Sequence, residues 1–180
     1  MARVIPGLSA CAWGWGGVRL AQPPAPKPRG KLRWDLRGQY PLVHEKAATC
    51  WAQLAKVGSW KGHWAGEFTF THDTLAMFVR NFDAQVNALP VKYGHTDDTV
   101  PAAGWIHQLA VKGDWLCGLL ELTDRAAECI RKGEYRFTSI EFDTAVPNRE
   151  SGEDQGPTLF GTALVHLPFI DGQKPLSLTP

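Results

Sequence analysis

Residues 105–122 read WIHQLAVKGDWLCGLLEL, two β-favouring apolar runs, Trp105–Val111 and Trp115–Leu122, on either side of Lys112-Gly113-Asp114. A short glycine-containing loop between two such runs is a hairpin signal. The flanking segments extend the pattern. Pro90–Tyr93 reads as a short strand that ends in the polar turn Gly94-His95-Thr96-Asp97-Asp98. Tyr135–Asp143 alternates so that Tyr135, Phe137, Ser139 and Glu141 share one face, and Thr158–Val165 follows as a further strand after the polar loop 148–157.

Helical spacing occurs in three places. Leu75, Phe78, Val79 and Phe82 predict a helix over Thr71–Gln85, with Thr71 or Asp73 available as its cap. Thr123 can cap a second helix running to Lys132, which would bury Ala126, Ala127 and Ile130. Ala48, Trp51, Leu54 and Ala55 predict a third over Glu45–Lys56. Strands and helices together place the chain in the mixed α+β class, and the hairpin pattern permits a mainly antiparallel barrel or curved sheet flanked by helices.

The remainder of the chain sets limits. At 180 residues there is room for one domain, and a hydrophobic content of 44% excludes wholesale disorder. Nineteen basic against eighteen acidic side chains leave a net charge of +1, which argues against nucleic acid as partner. No apolar run reaches a membrane span, the glycine-interrupted N-terminus makes a poor signal peptide, and the cysteine pattern fits a reducing cytoplasm, so a cytoplasmic location is expected. Residues 23–37, PPAPKPRGKLRWDLR, read as an extended solvated segment. The expected organisation is an irregular extension over 1–44, a folded domain over 45–172 and a tail over 173–180 without a core role. Cysteines 11, 50, 117 and 129 have no spacing that suggests a zinc site or a disulfide framework, and none has the neighbours that would lower its pKa.

Four stretches in order, VKYGHTDD (91–98), PAAGWIHQLAVKGDWLCGLLELT (101–123), GEYRFTSIEF (133–142) and ALVHLPFIDG (163–172), resemble the Mu-like phage prohead proteases. VGSWKGHWAGEFTFTHDTLAMFVRNF (57–82) extends the resemblance to roughly Val57–Gly172. It implies a fold like that of the herpesvirus assembly proteases and a serine endopeptidase that cuts scaffold protein, and the major capsid protein as a second substrate, inside immature proheads. A homo-oligomer is compatible with it. His95 falls on the family's general base and Ser139 on its nucleophile; no cofactor and no metal is implied.

The third member stays open. His166 matches the His, Ser, His order of the herpesvirus enzymes, while Asp97 and Glu141 are carboxylate alternatives. Glu141 has a geometric objection: two residues along from Ser139, it would approach the serine side of the imidazole. Asp97 also reads as a loop-capping residue.

Two readings compete with this one. A degraded prophage copy would keep the fold as an inactive capsid-assembly or scaffold-binding protein. A metal-dependent hydrolase could use His95, Asp97 and His107. For His107 alone, a hydrogen-bonded core histidine is the simpler expectation, and His63 and His72 read as turn and helix-start residues.

Overall fold

The computed structural model describes residues 47–84, 88–97 and 99–178. The expected extension over 1–44 lies outside them, as do the last two residues of the tail.

Among the described residues, eight strands and two helices follow one another: β1 Ala48–Lys56, β2 Gly58–Trp60, β3 Phe68–Phe70, α1 His72–Ala84, β4 Leu89–Tyr93, β5 Gly104–Lys112, β6 Trp115–Leu122, α2 Asp124–Arg131, β7 Phe137–Asp143 and β8 Thr158–Val165. Six strands form one sheet in the order β1-β6-β5-β4-β8-β7, and β2 pairs with β3 in a small ribbon. Every neighbouring pair in the large sheet is antiparallel except β4 with β8. The sheet curls into a half-barrel until its two edge strands meet, where Thr138 Oγ1 on β7 donates to Gln53 O on β1 at 2.9 Å. This is an α+β curved sheet with flanking helices, the arrangement that the hairpin pattern permits and the resemblance implies.

The hairpin at its centre lies where the sequence places it, with a loop one residue shorter than the three expected. Lys112 pairs with Trp115, so the connection is the two residues Gly113-Asp114. At the start of β5, a Cβ on Gly104 would stand 2.0 Å from Glu121 O, inside the neighbouring strand's backbone. Gly104→Ala is expected to destabilise the fold by about 2–3 kcal/mol, seen as a lowered thermal midpoint, because backbone cannot give way as a flexible side chain can.

The concave face buries Leu54 from β1, Leu116, Leu120 and Leu122 from β6, Ile106 from β5, and Val91 and Leu164 from β4 and β8. Helix α1 contributes Leu75, Phe78 and Phe82, and α2 contributes Ala126, Ala127 and Ile130. Phe78 meets Phe70 and Phe142 edge to face at centroid separations of 5.6 and 5.9 Å, an arrangement that aromatic quadrupoles favour. Of the two expected caps of α1, Thr71 takes the role: Thr74 N–H donates to Thr71 Oγ1 at 3.1 Å and Thr71 N–H to Thr74 Oγ1 at 3.2 Å. Thr71→Ala is therefore expected to cost about 1 kcal/mol in urea unfolding.

Two expectations are corrected. The segment expected as a helix over Glu45–Lys56 is strand β1 from Ala48 onward. Its apolar residues satisfy both periods: Ala48, Trp51 and Leu54 fit a helix face, but Cys50, Ala52 and Leu54 also alternate. Pairing with β6 selects the second pattern, burying Cys50, Ala52 and Leu54 and leaving Trp51 43% exposed. The tail also has a structural role. The Gln173 carboxamide bonds both backbone groups of Thr138, accepting from its N–H at 3.3 Å and donating to its carbonyl at 3.0 Å. Lys174 N–H donates to Gln53 Oε1 at 2.7 Å, and Leu176 and Leu178 pack on the core, so the tail closes the seam between β7 and β1.

Candidate active site

β4 ends at Tyr93, and Gly94 at φ +65° turns the chain out of the sheet while its N–H remains bonded to Leu164 O at 3.0 Å. A left-handed residue is needed there, which glycine adopts without a Cβ penalty. The turn delivers His95 to the sheet surface at the end of β4.

Ser139 is carried by β7, opposite Ala163 of β8. Its carbonyl accepts from Thr162 Oγ1 at 3.1 Å, and the Gln173 clamp grips the residue before it, so the backbone around the hydroxyl is held from both sides. Ser139 Oγ makes no hydrogen bond among the described residues. Glu141 follows on the same face, immediately before a register shift in the β7–β8 ladder.

The bond that organises the site runs between His95 and Glu141. His95 Nδ1 lies 3.1 Å from Glu141 Oε1, and Lys92 Nζ lies 3.0 Å from Glu141 Oε2. A carboxylate engaged by an ammonium can only accept, so the proton belongs on His95 Nδ1 and Nε2 presents its lone pair. His95, Ser139 and Glu141 line one cleft of about 710 Å3. Its walls are two contiguous stretches, His63–Phe68 between β2 and β3 and Ser139–Thr144 along β7, with Phe160 at the margin.

The other candidates are placed differently. His166 stacks flat on Tyr135, ring centroids 5.1 Å apart and planes 6° from parallel, and is not among the residues lining the cleft. Asp97 Oδ1 accepts from Thr99 N–H at 3.0 Å and from the Thr99 hydroxyl, bonds that hold its carboxyl below the usual range, so it caps its own loop. The objection to Glu141 does not hold. Its carboxylate meets His95 at Nδ1, so the contact leaves Nε2 unoccupied by this group.

His95 and His107 are each bonded to a different carboxylate, His107 to the buried Glu121, and no group of three metal-ligating side chains occurs among the described residues. The set His95, Asp97, His107 is thus not assembled, and His107 is the hydrogen-bonded histidine expected of its place in β5. His63 turns its own loop through a 3.2 Å bond from Ala65 N–H, and His72 at the start of α1 pairs with Asp114 at 3.2 Å. Burial pushes the Cys50 thiol up to about 11, and the thiols of Cys117 and Cys129 are raised as well, the last by the adjacent Glu134 carboxylate. A thiolate nucleophile is not on offer among these three.

Sequence reasoning did not foresee Lys92 or the cleft wall 63–68. The alternation of Phe68, Thr69 and Phe70 was the available signal for β3, but a three-residue strand is too short to separate from a loop by pattern.

The family profile of the Mu-like prophage I protein, N-terminal domain, matches residues 52–177. The chain belongs to this family of prophage proteins. The match takes in β1 from Ala52, every later element and most of the tail, so the seam-closing Gln173 lies within the family domain. Among curated proteins none matches the chain. Among solved structures, two of the Kaposi's sarcoma-associated herpesvirus protease, each in complex with an allosteric inhibitor, are similar to it at TM-scores of 0.44 and 0.40. They share 13% and 11% identity with it over 73% of this chain and 77% and 75% of theirs. No helix among the described residues is long and apolar enough to cross a membrane.

Proposed function

We propose that this prophage protein is a serine endopeptidase in which Ser139 is the nucleophile, His95 the general base and Glu141 the group that orients it. The supporting observation is the 3.1 Å contact between His95 Nδ1 and Glu141 in the cleft that Ser139 also lines. In this mechanism Ser139 Oγ attacks the scissile carbonyl carbon as its proton passes to His95 Nε2. The imidazolium, held by Glu141 through Nδ1–H, returns that proton to the leaving amine, and a water repeats the sequence in reverse to release the acid. Two contiguous stretches of chain line the cleft, one of them the strand that carries Ser139, and such a lining suits an extended peptide. The substrates are scaffold protein and the major capsid protein of the same phage, cut within the immature shell in the bacterial cytoplasm.

The test is incubation with the scaffold and capsid proteins encoded beside this chain, followed by mass spectrometry of the products for wild type and Ser139→Ala. Cleavage by the wild type alone is the expected result. Binding of scaffold without cleavage by either chain would favour the inactive assembly protein.

A further inference from the structure

Lys92 occupies the next-to-last position of β4 and stands in one cross-strand row with Ala163 of β8 and Ser139 of β7. Strands two apart in a sheet are separated by roughly 10 Å, which a lysine stem can span and a short side chain cannot. Glu141 lies on the same face opposite Gly161, so the residues between the two charges, Gly161 and Ala163, are the smallest available. The ammonium meets Glu141 Oε2 at 3.0 Å with only 16% of the lysine side chain exposed. The charged groups near it are His95, Glu141 and Asp97, with Glu67 and Asp143 further along the cleft.

Glu141 bridges Lys92 and His95. Its two oxygens point to different partners, so fixing one oxygen fixes the other. Without the ammonium, the carboxylate can rotate toward solvent at the cleft, where water competes for it. We propose that Lys92 is a positioning residue: it holds Glu141 in the rotamer that keeps the proton on His95 Nδ1 and leaves Nε2 free. Its consequence for catalysis rests on the protease reading above, but its effect on the His95 bond does not.

Two readouts separate these. The first is the low-field proton resonance of His95 Nδ1–H, assigned by its loss in Glu141→Gln. It should broaden or vanish in Lys92→Met and persist in Lys92→Arg, which retains the charge. The second is the rate on the scaffold substrate. Lys92→Met should lower kcat roughly ten- to hundredfold with KM little changed, as expected when a reacting group loses its alignment, and Lys92→Arg should recover most of it. If Lys92→Met does not fold, Lys92→Gln carries the same comparison with nearly the same shape. A wild-type resonance in the folded charge-removing variant overturns the proposal. A resonance that responds as expected in a protein that cleaves nothing keeps the role of Lys92 and overturns the protease reading instead.

Discussion

Ser139→Ala is expected to lower the cleavage rate by roughly four to six orders of magnitude while the thermal midpoint stays within about 1 °C of wild type. The separation of the two effects follows from the local structure. The strand is held by pairing to Ala163, by Thr162 and by the Gln173 clamp on Thr138, none of which uses the Ser139 hydroxyl. Removing Oγ thus deletes the reacting atom and almost no packing. Residual turnover would come from binding and oxyanion stabilisation alone. Cleavage of the scaffold by Ser139→Ala at the wild-type rate would rule out Ser139 as nucleophile.

The second large effect belongs to Glu141. Glu141→Gln should reduce kcat by about 10^3–10^4, a larger loss than a neutral, nearly isosteric change ordinarily brings. Lys92 supplies the reason. Its ammonium can only donate, so it will bind the amide oxygen and turn the Gln NH2 toward His95 Nδ1. Nδ1 must then accept, the ring proton moves to Nε2, and the base is blocked on the side facing the cleft. His166→Ala and Asp97→Asn should both remain within about tenfold of wild type, because neither side chain is engaged with His95. If His166→Ala cost more than Glu141→Gln, the orienting role would pass to His166.

Much of the scaffold was legible in the chain because its signals are local. The Gly113-Asp114 turn lies between two runs of β-favouring residues, Thr71 and Thr123 stand directly before helical apolar stripes, and β7 and β8 are short runs bounded by polar loops or turns. Where a segment satisfied two periods the local signal failed, as in β1, where only the partner strand β6 distinguishes Cys50-Ala52-Leu54 from the helical alternative. The tail was misjudged for a related reason. Gln173 is polar and isolated in sequence, and its burial depends on the unpaired backbone of Thr138, 35 residues away.

The site divides along the same line. The residue types and their order single out His95 and Ser139, since a histidine in a turn and a serine on a strand face are local facts that a family resemblance can join. Which group meets His95 Nδ1, Glu141, Asp97 or His166, depends on how distant segments are brought together, and sequence spacing carries no such information. The curl of the sheet, the order β4-β8-β7 and the reach of two long side chains decided it, placing Glu141 between His95 and Lys92 and leaving His166 against Tyr135. The sequence by itself determined most of the elements and pointed to His95 and Ser139 as candidates, because propensity, capping and alternation act within a few residues. The tertiary structure alone placed Glu141 between His95 and Lys92 and assembled the cleft walls, because those contacts join segments that are neighbours in space and distant along the chain.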